Sequence, residues 1–336
     1  MRINIFMLSA ENDNLKNVLR KMHRGILSYY SKELLSTKLN DANYVHTQRL
    51  LKTKDIWVGH VYAEKFKDCN VAIQFGSAKA RDSLHHVVKT DIKEKAENIL
   101  YIETPLLGRT INNKHDYSYY RIGLNGFLNG DADFNNDSSP PDRWNELKNT
   151  FGYKDFTEWK DHTSGAILLL AQLPGDASLR SQSMAEWIQE TICKIRQQSD
   201  RKIIVRLHPA MSAKGKAALI GDMYEAILDN MNNVEFSNNG TLVQDLNRSG
   251  ICISYTSGSS IDAVLHGVPC IACDEGNFVY PISSKDVDDF TNPYLADKDT
   301  VMQWLYDLSY CQWSLAEIQD GTAWKHFSKL LDFDNA

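Results

Sequence analysis

Short apolar runs alternate with longer stretches of helical spacing along most of this chain. Up to Glu103 the runs INIFML, IWVGHVY, NVAIQFG and NILYIE read as strands, and residues 13–36 and 81–97 carry helical patterns. From 165 onward the alternation sharpens. AILLLAQL precedes a helix over 183–198, KIIVRLHP a helix over 214–230, and NVEFSN a short helix over 241–248. GICISYTS then runs into a helix over 259–267, followed by PCIACDE. Strands that are apolar throughout and each followed by a helix belong to parallel sheets covered on both faces. Between 129 and 164 the pattern breaks into NGDADFNNDSSPPDRW, a polar, Pro-rich surface loop that marks a domain boundary. The expectation is an α/β chain of two domains, 1–160 and 161–310, with helices over 311–336 packing back across them. Trp304, Trp313 and Trp324 form an aromatic stripe that reads as packing.

The 336 residues are 43% hydrophobic and 24% charged, an ordinary globular composition long enough for two domains. No run approaches the roughly 18 apolar residues of a membrane span. The start, MRINIFMLSAEND, is a poor signal peptide and a good first strand, so a cytoplasmic location is expected. Cys270 and Cys273 form a CxxC inside an apolar run, with no second ligand pair at zinc spacing, so no metal is expected. Charge changes the picture more. Residues 1–96 hold 17 Lys and Arg against 10 Asp and Glu, whereas the whole chain has a net charge of −6. That asymmetry suggests an N-terminal domain that faces something anionic, or simply a solvated basic surface.

Ligands of parallel α/β sheets bind outside the carboxyl ends of the strands, and three strand ends in the second half carry unusual chemistry. LLLAQLPGDASLR ends on Gln172, Gly175, Asp176 and Ser178. VRLHP brings Arg206 and His208 to a Pro stop. SYTSGSSIDAVLHGVP runs from Thr256 through Ser257, Gly258, Ser259 and Ser260 into a helix bearing Asp262. A helix start offers free N–H groups and a positive dipole end to phosphate, Gly allows close approach, and Asp262 suits a ribose diol. The plainer alternative is a serine that only caps the helix. In the first half, Glu103 ends the strand of YIETPLLGR with Arg109 behind it, and His60 ends IWVGH. YYRIGLNGFLNG reads as a Gly- and Asn-rich loop carrying Arg121 and Asn125.

These residues resemble known proteins in short islands over 120–280. A strand ending in HP, a strand followed by a Ser-rich turn and an acid-bearing helix, and then HGVPCI are similar to the C-terminal domain of GT-B glycosyltransferases and to nucleotide-sugar epimerases. QLPGDAS resembles the Q-T-x-G-D-x-S segment of the bacterial capsule β-Kdo transferases, and YRIGLNGFL loosely resembles their E-D-G-F-L segment. The chain departs from them at Ala171, where they carry an acid, and at Leu124 and Asn125, where they carry Glu–Asp. In its Asn- and Lys-rich character and basic N-terminal part it also looks like bacteriophage sugar transferases that modify hydroxymethylated pyrimidines in DNA.

The resemblance implies a GT-B-like fold of two Rossmann-like domains facing across a cleft, with a metal-independent transfer of a sugar to a hydroxyl. The donor implied is a nucleoside diphosphate sugar, a UDP-sugar first, with no other cofactor. Its binding falls to Gln172, Gly175, Ser178, Arg206, His208, Thr256, Ser257, Gly258, Ser259, Ser260 and Asp262. Asp176 is a candidate base, nucleophile or holder of sugar hydroxyls, and equally a turn aspartate. Glu103 is a second candidate base, and His60, Arg109, Arg121 and Asn125 are acceptor-side candidates. The basic N-terminal domain makes hydroxymethylcytosine DNA the expected acceptor. A capsule or lipopolysaccharide transferase is the enzymatic alternative, and a non-catalytic nucleotide- or nucleic-acid-binding module is the other class.

Overall fold

The run Ala166–Leu170 is buried at every position, as a strand must be when helices cover both faces of its sheet. It lies in one of two compact α/β units of the computed structural model. The structure describes residues 2–7, 13–30, 46–49, 57–61, 65–77, 84–111, 114–115, 118–212, 232–237 and 240–331. Unit 1 comprises 1–127, 131–143 and 307–336, and unit 2 comprises 128–130 and 144–306. The helix expected over 214–230 lies outside the described residues.

In chain order, unit 1 contains β1 (Arg2–Phe6), β2 (His46–Arg49), β3 (Trp57–Val61), β4 (Val71–Phe75) and β5 (Asn98–Glu103). It continues with β6 (Thr110–Ile111), β7 (Lys114–His115) and β8 (Tyr119–Leu124). Unit 2 holds β9 (Ala166–Leu170), β10 (Ile203–Arg206), β11 (Val234–Ser237), β12 (Ser249–Ser254) and β13 (Cys270–Ala272). The last strand, β14 (Gln312–Ser314), returns to unit 1.

The unit 2 sheet runs β11-β10-β9-β12-β13 and is parallel throughout. Counted from β9 as the first strand, the order is 3-2-1-4-5, that of a Rossmann sheet without its sixth strand, and the crossover direction reverses between β9 and β12. Ile188, Ile192 and Ile195 of the helix Met184–Arg196 pack over Ile167, Leu169, Ile203 and Val205 of this sheet.

The unit 1 sheet runs β14-β8-β5-β4-β1-β3-β2. Its middle strands, β3, β1, β4 and β5, are parallel; β2 and β8 run against them, and β14 pairs antiparallel with β8. The chain therefore carries two Rossmann-type α/β units, one of them with a mixed sheet. The difference lies in YYRIGL, which reads as a loop but forms β8, buried at all six positions. Its Gly123 is a packing residue: a Cβ there would come within 2.8 Å of the Gly126 carbonyl and 2.9 Å of the Phe134 ring. The helix Asp142–Phe151 likewise rises out of the stretch that reads as loop.

On one face of the unit 1 sheet the helix Asp13–Tyr30 packs with the helices Leu315–Asp320 and Thr322–Ser328, burying Trp313, Trp324 and Phe327. Gly25 permits the approach, since any Cβ would overlap the Ile318 carbonyl. On the other face the helix Leu84–Lys95 covers Phe6, Ala72, Ile99 and Tyr101. All three expected tryptophans of the stripe are buried in packing roles, Trp304 in unit 2 with its Nε1 donating to the Phe278 carbonyl at 2.8 Å. Among the described residues no helix is long and apolar enough to cross a membrane, and no group of His, Cys, Asp and Glu is placed to hold a metal.

Arg143 ties the returning segment to unit 1. Its guanidinium pairs with both oxygens of the Glu317 carboxylate, donates to the Gln312 carbonyl at 2.6 Å and lies 4.1 Å from the centre of the Trp313 ring. Glu317 also closes a capping box with Ser314. A second ionic knot holds the edge of unit 2. Buried Asp245 accepts from Ser237 Oγ at 2.6 Å, Arg206 at 2.7 Å and Arg248 at 2.8 Å. Burial alone would raise its carboxyl, but these hydrogen bonds and charges outweigh it and hold it below the usual carboxylate value.

Two tests follow from these knots. Arg143→Met leaves Glu317 without its cation, and unit 1 is expected to lose about 3 kcal/mol in a urea titration. For Asp245 the folded-state value is below the unfolded one. Its contribution is therefore complete above pH ~4 and is lost as pH falls further. Melts of the wild type at falling pH should show this loss, and Asp245→Asn should be less stable at pH 7 and flatter in acid.

Candidate functional site

The carboxyl ends of β9 and β12 lie side by side where the unit 2 crossover reverses. Gln172, buried just past β9, bridges them. Its Nε2 donates to Thr256 Oγ1 and to Ser178 Oγ, each at 3.0 Å, while its Oε1 accepts from the Thr256 backbone N–H at 2.9 Å. Thr256 Oγ1 donates onward to the Ser178 carbonyl at 2.9 Å. A buried amide that satisfies partners on two strand ends fixes their spacing, because moving them apart strands the buried Thr256 N–H.

The chain gets from Gln172 to Ser178 through a turn built by Gly175, whose φ of +71° needs a residue without Cβ, although open space surrounds it. Asp176 then caps the short 3-10 helix Ala177–Leu179. Its Oδ1 accepts from the Ser178 N–H at 3.1 Å and the Ser178 hydroxyl at 3.0 Å. The turn role weighed for this aspartate is present in the geometry. The same turn anchors a half-buried carboxylate to the Gln172 bridge.

Past β12 the turn Ser257–Gly258 opens the helix Ser259–Leu265. Nothing lies within 4 Å of a Cβ placed on Gly258, and the N-cap position, being glycine, supplies no capping side chain. Ser257 Oγ accepts weakly from the Ser259 N–H at 3.4 Å. Ser260 turns inward instead, with its hydroxyl 2.7 Å from the Ser257 carbonyl and 2.9 Å from Asn277 Oδ1. Asp262 is half-buried on the same helix, its carbonyl 2.8 Å from His266 Nδ1. At the end of β10, Arg206 is engaged by Asp245 and the Gly240 carbonyl. His208 Nδ1 accepts from the Ala210 N–H at 3.1 Å, which leaves the proton of a neutral ring on Nε2.

Two residues at this edge escaped the sequence reading. Asn277 is fully buried and holds the neighbouring strand ends together, donating to Ser254 Oγ at 2.8 Å and to the Tyr255 carbonyl at 2.9 Å. Arg180 follows the aspartate turn with φ +48°, and Ser181 after it has φ +73°, two successive left-handed residues without the freedom of glycine. Arg180 reaches Glu275 at 3.1 Å and Asp274 at 3.4 Å beyond β13. The signal was available: DEGN follows a strand as directly as QLPGD does.

In unit 1, Glu103 ends β5 and pairs in register with Arg121 on β8. Asn125 lies at the opposite end of β5, where its Oδ1 accepts from the Ile99 N–H at 2.8 Å and its Nδ2 donates to Asn98 Oδ1. The structure therefore brings Glu103 and Arg121 together and leaves Asn125 at the other sheet edge. Arg109 is exposed in the turn after β5. His60 lies on β3 opposite Ile5, with its side chain outside the described residues.

No protein-family model and no curated protein matches the chain. Among solved structures it is similar to the Thermosulfurimonas dismutans KpsC beta Kdo 2,4 transferase, at 12% identity over 75% of this chain and 83% of that one, with a TM-score of 0.46. It is also similar to the beta Kdo 2,7 transferase of the same KpsC, at 9% identity over 97% of this chain and 100% of that one, with a TM-score of 0.44. A third similarity is to the S. aureus MnaA–UDP co-structure, at 9% identity over 99% and 96% of the two chains, with a TM-score of 0.31.

Proposed function

We propose that the chain is a glycosyltransferase that moves a sugar from a nucleoside diphosphate sugar to a hydroxyl acceptor. The observation that carries this reading is the Gln172–Thr256–Ser178–Asp176 junction at the reversal between β9 and β12. Open α/β sheets take nucleotides at such a reversal. The open turn at Gly258, with the hydroxyls of Ser257 and Ser259 beside it, suits the diphosphate. Asp262 on the following turn suits the ribose. Gln172 and Thr256 are assigned to the floor, and Asp176 to the sugar end of the donor.

The acceptor hydroxyl attacks the anomeric carbon, the bond from that carbon to the diphosphate oxygen breaks, and the hydroxyl proton passes to a carboxylate. Asp176 is assigned that carboxylate, and Ser178 fixes one of its oxygens so that the group enters the reaction oriented. His208 is assigned to the leaving diphosphate through Nε2. Glu103 and Arg121 are assigned to the acceptor. The DNA acceptor rests on the charge of residues 1–96, of which 8–12, 31–45, 50–56, 62–64 and 78–83 lie outside the described residues.

The test is a screen of UDP-sugars for release of nucleotide, with hydroxymethylcytosine DNA, an acidic glycan or no acceptor. Acceptor-dependent release with a matching mass gain is the expected result, and the acceptor that gains mass decides between DNA and glycan. A new sugar-nucleotide isomer without any acceptor would replace the transferase with an epimerase, and binding without turnover would replace it with a binding module. Asp176→Asn is expected to lower kcat by roughly 10²–10⁴-fold with little change in donor KM. Gln172→Leu strands the buried backbone N–H of Thr256 and removes one of the two bonds of its hydroxyl. It should cost about 1–3 kcal/mol in a melt and raise donor KM more than it lowers kcat.

A further inference from the structure

A second polar cluster lies in unit 1, at the carboxyl ends of β4 and β5, on the face covered by the helix Leu84–Lys95. β4 ends in a left-handed glycine, Gly76, with φ +68°. The place a Cβ would take there is 3.3 Å from Lys89 Nζ and 3.4 Å from Glu103 Oε1, so the missing side chain lets these two charges converge. Lys89 is only 5% exposed, and its ammonium donates to the Phe75 carbonyl. Arg121, also buried, pairs directly across from Glu103 on the same face.

Gln74 completes the cluster. It pairs with Tyr101, which places its side chain on this same face, diagonal to Glu103 at about 7–8 Å between Cα atoms. It is 0% exposed, and neither Oε1 nor Nε2 has a hydrogen-bond partner. Its surroundings along the sheet are Tyr101 and the apolar layer of Phe6 and Ala72. A wholly buried amide with both atoms unsatisfied costs free energy for nothing unless something else pairs with it.

We propose that this cluster is a binding site for a small hydroxy acid, a molecule bearing an oxyanion with a hydroxyl beside it. The inventory of groups selects that class. Lys89 and Arg121 supply two cations and Gln74 Nε2 a neutral donor, a set that suits an oxyanion. Glu103 and Gln74 Oε1 are acceptors that suit a hydroxyl and would be wasted on a bare anion. Entry draws the Lys89 ammonium from the Phe75 carbonyl towards the oxyanion of the ligand. On the transferase reading such a molecule would be the acceptor, but the binding itself does not depend on that reading.

The experiment is saturation-transfer NMR on the full chain with D-glucuronate, compared with D-glucose, which lacks the acid, and acetate, which lacks the hydroxyl. Glucuronate is expected to bind at least tenfold more tightly than either. Lys89→Met and Gln74→Met are each expected to weaken it at least tenfold. Asp176→Asn and saturating uridine diphosphate should leave it unchanged, which separates this site from the one in unit 2. Gln74→Met should also raise the melting temperature of the free protein by about 2–4 °C, since it removes an unpaired buried amide. Binding no tighter than glucose or acetate, or equal binding by the wild type and both methionine variants, would overturn the proposal.

Discussion

A parallel sheet whose crossovers reverse direction must leave its two central strand ends uncovered by a connecting helix, and unit 2 is organised around that gap. Two strand ends that part company still have buried backbone groups to satisfy. Here one side chain does it: Gln172, on the β9 side, receives and gives hydrogen bonds to Thr256 on the β12 side. Everything else at the edge takes its position from this bridge. Ser178 is held by it, Asp176 is held by Ser178, and the Gly258 turn begins two residues after Thr256. Asn277 repeats the device one strand further out, joining Ser254 and Ser260.

The second half of the chain was readable because its strands are buried on both faces. ILLL, IIV and CIA then appear as unbroken apolar runs, and the polar residues that end them fall at one sheet edge by topology alone. The first half was less readable for two reasons. β8 carries a glycine and two tyrosines where a strand detector looks for branched aliphatics, and its turn residue Asn125 masks its end. β14 is three residues long and reaches its partner from almost 200 residues away, a separation that local periodicity does not register.

The same contrast holds for the sites. Gln172, Asp176 and Gly258 stood out because a turn rich in glycine and hydroxyls after an apolar run has a mechanism. Arg206 stood out by the same rule, yet the structure engages it with Asp245, a partner supplied by another element. Gln74 and Lys89 did not stand out at all. One sits inside an apolar strand and the other within a helix rich in charge; sheet register sets Gln74 diagonal to Glu103, and the helix crossing Gly76 brings Lys89 there.

The excursion of the chain into unit 2 between Trp144 and Tyr306 has a consequence for biosynthesis. Unit 2 is a continuous stretch apart from 128–130, so every strand of its sheet has left the ribosome before β14 is translated. Unit 1 is made first but finished last. Arg143 waits for Glu317, Gly25 waits for Ile318, and β8 has an open edge until Gln312–Ser314 arrives. In the order of synthesis, unit 2 thus has all its strands before unit 1 does. A nascent chain stalled after unit 2 would expose the apolar face that Trp324 and Phe327 later cover.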